Sequence, residues 1–164
     1  MYVTFAPRGI LQIDDARIIY RNFRGEGSKY NREGDRNFAV ILPNQEIADQ
    51  LINDVNEYGV GWNVKIKPPR DEDDSPFMYL PVKVKFNERG PVIWLISGSR
   101  RHRLYEEDVA RLDKIDIASV SLDIRPYDDT IQGKPFRAAY LQSIEVTQQI
   151  DRFTARYEES REDC

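Results

Sequence analysis

The chain has 164 residues, of which 40% are hydrophobic and 32% charged, with a formal net charge of −4. This is the size and composition of one globular domain with a core of its own, and it excludes a disordered chain. The longest apolar run is VIWLIS, far too short to span a membrane. Cys164 is the single cysteine and His102 the single histidine, which rules out an internal disulfide and a zinc ligand set. A reducing, intracellular setting is expected, with no secretory leader, because no charged stretch followed by an apolar one opens the chain.

In chain order, GILQIDDARIIYRNF begins with alternation and predicts a strand. The segment YRNFRGEGSKYNREGDRNF, residues 20–38, follows as a loop with five basic residues, four aromatics, three glycines and three acids. RNFAVILP predicts a second strand ended by Pro43. A helix is expected next, capped by Asn44, with Glu46 in its first turn, an apolar face of Ile47, Leu51, Ile52, Val55 and Tyr58, and a stop at Gly59. Its other face is acidic and amide, so it predicts core packing rather than a recognition helix.

WNVKIK (62–67) alternates with Lys65 and Lys67 outward. YLPVKVKF (79–86) alternates with Leu80, Val82, Val84 and Phe86 inward and Tyr79, Pro81, Lys83 and Lys85 outward. Pro81 predicts an edge strand or a bulge. PVIWLIS predicts a buried strand with Trp94 in the core, broken at Gly98 before RRHR. EEDVARLDKI (106–115) predicts a short helix. IASVSLDIRPY predicts a strand ended by Pro126, DDTIQGK a loop, and FRAAYLQSIEVT a last strand with Ile144 and Val146 inward. The count is six or seven strands with two short helices and no regular strand–helix alternation. The fold class expected is mainly β, an OB-fold-like antiparallel β-barrel with one or two short helices, over residues 1–150, followed by a charged C-terminal tail at 151–164.

Catalytic signatures are weak. His102 sits inside SRRHR without a nucleophile at useful spacing, and neither a GxxxxGK[ST] loop nor a GxGxxG turn occurs. DEDD (71–74) has the oxygen donors for a divalent metal, but adjacent acids point in different directions, and flanking prolines make a solvated loop the preferred reading. No cofactor and no metal are expected.

The acidic balance argues against nucleic acid only in sum. Residues 83–103 carry six Lys or Arg against one Glu. The 20–38 segment interleaves rings, on which bases can stack, with cations that neutralise phosphates, and two strands add outward lysines at period two. A groove lined with cations and aromatics suits a single-stranded nucleic acid, and no helix offers a basic face for duplex. Tyr20 and Phe38 fit core or surface equally well.

Several stretches, namely ILQIDDARIIYRNF with its basic loop, GDRNFAVILP leading into a helix, YLPVKVKF, and the ending DIASVSLDIRPYDD, loop, GKPFRAAYLQSIEVT, together resemble the OB-fold single-stranded DNA-binding proteins of bacteriophages and related mobile elements. The resemblance covers residues 8–150. It implies an OB barrel, binding of single-stranded DNA in replication or recombination, replication or recombination proteins as further partners, and the cytoplasm of the bacterial host as the setting. The candidate DNA-binding residues are Phe23, Tyr30 and Tyr79 as stacking rings and Arg21, Arg24, Lys29, Arg32, Lys65, Lys67, Lys83 and Lys85 as phosphate ligands, with Arg100, Arg101 and Arg103 behind them. No membrane partner is expected, and a homodimer stays open. The alternatives from other classes are a phage-encoded module that recruits or inhibits a host protein and, ranked last, a metal-dependent nuclease built on DEDD.

Overall fold

The computed structural model of the chain describes residues 1–150, so the tail expected at 151–164 lies outside the described residues. The elements are β1 (Tyr2–Phe5), β2 (Leu11–Ala16), β3 (Ile18–Asn22), β4 (Arg36–Leu42), α1 (Gln45–Asn53), β5 (Lys65–Lys67), β6 (Phe77–Val84), β7 (Val92–Ser97), β8 (Arg100–Leu104), β9 (Ile117–Ile131) and β10 (Lys134–Gln148), with 3-10 turns at Pro7–Gly9 and Val109–Asp113. No helix among the described residues is long and apolar enough to cross a membrane.

The strands form a ten-stranded sheet in the order β1-β2-β9-β10-β6-β4-β3, with β5 added to β6, β7 to β10 and β8 to β7. Pairing is antiparallel except that β10 runs parallel to β6 at Tyr140–Lys83 and to β7 from Ser143–Val92 to Thr147–Ile96. β6 and β7 therefore lie one after the other along the same edge of β10, joined by the loop 85–91. Leu11, Val40, Leu80, Leu95, Ile124 and Ile144, from six different strands, meet in one buried cluster. A sheet whose inward residues share one core must curl around it. The expected mainly β architecture with a short helix is what the chain adopts, though the sheet is not wholly antiparallel as expected. Among the described residues no ladder joins β1 to β3, so the curled sheet stays open between these edges.

Local sequence explains most elements and corrects several expectations. Asn44 caps α1, its side-chain oxygen accepting from the Ile47 N–H at 2.9 Å. The helix ends at Asn53, not Gly59, because the chain doubles back: the Trp62 N–H donates to the Leu51 carbonyl at 3.1 Å. Gly61 makes this return possible, since a Cβ there would come within 2.0 Å of the Ile52 carbonyl oxygen. Only Ala48 and Leu51 of the helix are buried, and Val55 and Tyr58 lie beyond it, exposed.

Pro81 sits inside the sheet, not at its edge. On one side β6 pairs with β4; on the other it pairs with β5 at Phe77–Tyr79 and with β10 at Lys83. Pro81 falls in the gap between β5 and β10, where a missing donor costs the ladder least. Pro126 likewise does not end its strand. β2 covers β9 only as far as Ile124, so beyond that point β9 has a free edge, and it runs on to Ile131 opposite β10. The RRHR block is a strand: Gly98 (φ 64°) turns the chain so that β8 pairs back on β7. The helix expected at 106–115 shrinks to the Val109–Asp113 turn, the first run splits into β2 and β3, and β1 was not anticipated.

Candidate nucleic-acid interface

Period-two alternation turns Phe77, Tyr79, Pro81 and Lys83 of β6 outward while Met78, Leu80, Val82 and Val84 are buried. The ladders then assemble a face. Lys65 lies opposite Tyr79 and Lys67 opposite Phe77 on β5; Tyr140 lies opposite Lys83 on β10, and Arg125 opposite Tyr140 on β9.

Two ring clusters result, each seated with cations. In the first, Tyr79 meets Tyr20 edge-on at 5.4 Å and Phe77 at 5.7 Å. The Lys67 ammonium donates to the Tyr20 hydroxyl at 2.9 Å and lies 5.1 Å and 5.8 Å from the Tyr20 and Tyr79 ring centres. That hydrogen bond raises the Lys67 ammonium above its ordinary range, so the site keeps its charge. In the second cluster, Tyr140 has Lys83 at 5.9 Å, Arg125 at 5.1 Å and Tyr127 edge-on at 5.9 Å, and Tyr127 in turn meets Phe136 at 6.2 Å. Cation–ring contacts at exposed sites stabilise by only about 0.5–1 kcal/mol. A phosphate can therefore draw these cations off the rings.

Tyr20 reaches this face through an irregularity. Its φ is 56°, and the β3–β4 register breaks between Ile19 and Asn22. A residue in the left-handed region within a bulged strand has its side chain re-aimed, here toward Lys67.

The loop 24–36 overhangs the face and closes a groove of about 710 Å³, with Tyr20, Tyr79, Lys83, Lys85 and Tyr140 beneath, Tyr30 and Arg32 on the loop side, and Phe86 and Glu106 among the remaining walls. Backbone and amide groups hold the loop in one shape. The Gly34 N–H donates to the Gly25 carbonyl at 2.8 Å, both glycines having positive φ, and the Gly27 N–H donates to Glu33 at 2.6 Å. The Asn31 amide donates to the carbonyls of Glu26 and Asp35 at 2.9 Å and 3.0 Å. Tyr30 stands out of this frame at 90% exposure, with Lys29 5.6 Å from its ring.

The structure brings Tyr30, Arg32, Tyr79, Lys83 and Lys85 together in the groove, with Lys67 joined to it through Tyr20 and Lys65 beside Tyr79. Other candidates lie elsewhere. Phe23 is no stacking residue for a ligand: it is fully buried, 5.1 Å from Phe38 in a stacked pair, drawn inward where its N–H donates to Asp113 at 2.8 Å. Phe38 is thereby core as well. Arg21 is committed to structure, donating to the Leu112 and Ile115 carbonyls at 2.7 Å each. Arg24 and Arg32 sit near Glu26 and Asp35 at 3.9 Å and 3.4 Å, so part of the loop's charge is answered within the loop. Arg100, Arg101 and Arg103 belong to β8, and none of them lines the groove. Trp94, expected in the core, is half-buried on the outer face with Arg101 4.0 Å above its ring, and Arg101 also pairs with Glu145 at 3.7 Å.

Residues missed by the sequence reading are Tyr140, Arg125 and Arg36. Alternation could have found the first two, because Ala139 and Leu141 flank Tyr140 inward and Ile124 precedes Arg125 inward. Arg36 had no such signal: it binds the Phe23 carbonyl at 3.3 Å, lies 3.7 Å from Glu106 and sits 5.7 Å from the Phe86 ring. Among the described residues no group of acids, DEDD included, is arranged to hold a metal.

An open groove floored by rings and ringed by cations, on a curled β sheet, has the chemistry that suits a flexible polyanion. The chain belongs to the phage single-stranded DNA-binding domain family: the family model described as "Putative phage ssDNA-binding domain" matches residues 2–162. Solved structures share the fold. The single-stranded DNA-binding protein from bacteriophage Enc34 has 13% identity and a TM-score of 0.56, over 92% of this chain and 87% of that one. Its C-terminal truncation has 15% identity and a TM-score of 0.55, over 91% of each chain. The same protein in complex with ssDNA has 16% identity and a TM-score of 0.54, over 92% of this chain and 93% of that one. At these identities the likeness is one of fold. No curated protein matches the chain.

Proposed function

We propose that this chain binds single-stranded DNA with little sequence preference, serving phage DNA replication or recombination in the host cytoplasm, and that it does so without catalysis. The observation that carries the reading is the pair of cation-capped ring clusters, Tyr20–Tyr79–Lys67 and Tyr140–Lys83–Arg125, on one open face. Bases stack on ring faces irrespective of identity, each for about 1–3 kcal/mol, and the cations released from the rings neutralise the phosphates between. Duplex suits the face poorly. Its bases are already stacked on one another, and the exposed polar residues of α1 are acids and amides, with no cation to carry the helix into a major groove. Family membership and the fold shared with an ssDNA-bound phage protein support the same ligand.

The test is fluorescence anisotropy with a labelled oligo-dT, repeated with duplex and across a salt series. Tight binding to the single strand, weak binding to duplex and a log–log salt slope near −3 are expected if about four cations each displace the usual ~0.7 counterion per phosphate. No binding at low salt would remove the reading and leave the groove to a protein partner.

A further inference from the structure

A second cleft of about 790 Å³ adjoins the groove along β10 and shares Lys85 with it. Its walls are the loop 85–91 on one side and Arg125 on the other, over the bulge at Gln142, where β10 carries one extra residue. The loop is a tight turn: the Asn87 N–H donates to the Gly90 carbonyl at 2.8 Å, and the Arg89 N–H donates to the Asn87 side chain at 2.9 Å, which fixes Arg89 at the tip. Gly90 (φ 133°) seats this turn on the sheet, since a Cβ there would lie 3.3 Å from the Val92 nitrogen and 3.6 Å from the Gln142 carbonyl oxygen.

Three cations, Lys85, Arg89 and Arg125, face this cleft against one acid, Glu88. Among the described residues none of the three is in an ion pair, in contrast to Arg24, Arg32 and Arg101. Unanswered like charges gathered at one concavity raise the local anion concentration. Further along β10 the sign reverses. The next hollow shares Val92 and Ser143 with the cleft but is lined by Asp14, Asp123 and Glu145, with Arg101 already held by Glu145.

We propose that the cleft under the loop 85–91 is a second phosphate-binding segment of the same DNA path, and that the acids at Asp123 and Glu145 end that path. This deepens the single-strand reading and rests on it. A strand stacked at Tyr79 and Tyr140 continues past Lys85 to Arg89 and Arg125, then leaves the surface.

The experiment compares dT4, at the short end of OB-fold site sizes, with dT12. The wild type is expected to gain affinity from dT4 to dT12. Arg89→Gln, an exposed change outside the first groove, keeps the dT4 affinity, loses most of the length gain, and flattens the dT12 salt slope by about 0.7. Wild-type binding with an unchanged length gain and slope in Arg89→Gln overturns the second segment alone. Failure of the wild type to bind either oligonucleotide overturns the single-strand reading and this inference together.

Discussion

Arg137→Ala isolates the contact that pins the β9–β10 hairpin to the segment after α1. Arg137 is buried, and its guanidinium donates to both Asp128 oxygens, at 2.7 Å and 3.2 Å, and to the Asp54 carbonyl at 2.7 Å. It also lies 5.0 Å from the Trp62 ring, whose N–H donates to Asp54 at 2.8 Å, while Asn56 donates to Asp128 at 2.8 Å. Removing one partner of a buried ion pair costs about 3–5 kcal/mol. The Asp54 and Asp128 side chains retain 37% and 26% of their exposure, so water takes up part of the orphaned charge, and the low end, about 3 kcal/mol, is expected. For a chain of this size that lowers Tm by about 6–12 °C. Thermal unfolding followed by circular dichroism measures it, with Asp128→Asn and the double variant completing a cycle. A fall under about 2 °C, or strictly additive single changes, would show that Arg137 contributes packing only and that the charge reasoning is wrong.

Four further outcomes are expected, the first from the same contacts. The Arg137 guanidinium holds the Asp128 carboxyl below its ordinary value against the opposing effect of burial, with the Asn56 amide assisting. The stability gained this way is complete above the unfolded carboxyl pKa of about 3.9 and is lost as pH falls through the lower folded value; the gap between wild type and Asp128→Asn in urea unfolding should be level from neutral pH to near 4 and then close. Tyr79→Ala should weaken oligo-dT binding by about 1–3 kcal/mol in anisotropy. Phe23→Ala should cost about 3–5 kcal/mol of stability, and at a temperature where it stays folded its oligo-dT affinity should match the wild type. Asn44→Ala should lower stability by about 1 kcal/mol through loss of the helix cap, with oligo-dT binding unchanged.

What could be foreseen from sequence was set by local periodicity. The alternation of YLPVKVKF depends on side chains taking opposite faces within one strand, so Tyr79 and Lys83 were placed without knowing any neighbour. The Asn44 cap needs only its own first turn. The larger misplacements involve partners distant in sequence. Pro81 read as the mark of an edge or a bulge, and Pro126 as a strand end, because the gap between β5 and β10, and the point where β2 stops covering β9, appear only once the sheet is assembled. Phe23 looked like a loop ring because Asp113, which draws its backbone inward, lies 90 residues away. Trp94 looked buried because VIWLIS is apolar throughout, although its strand is covered on one face only. Arg21, Arg24 and Lys83 are alike in charge, and only the fold separates cations held by structure or a neighbouring acid from those facing the groove.

The place of β10 in the sheet has a consequence for synthesis. This last described strand joins three neighbours, β9, β6 and β7, and without it the sheet splits into three pieces, β1-β2-β9, β5-β6-β4-β3 and β7-β8, with no ladder between them. A chain emerging from the ribosome therefore cannot complete its sheet until residues near Gln148 are out, so folding is a late and largely non-local event. The Tyr140 cluster forms only at that moment. The face that carries both ring clusters is therefore assembled only once Lys134–Gln148 has emerged.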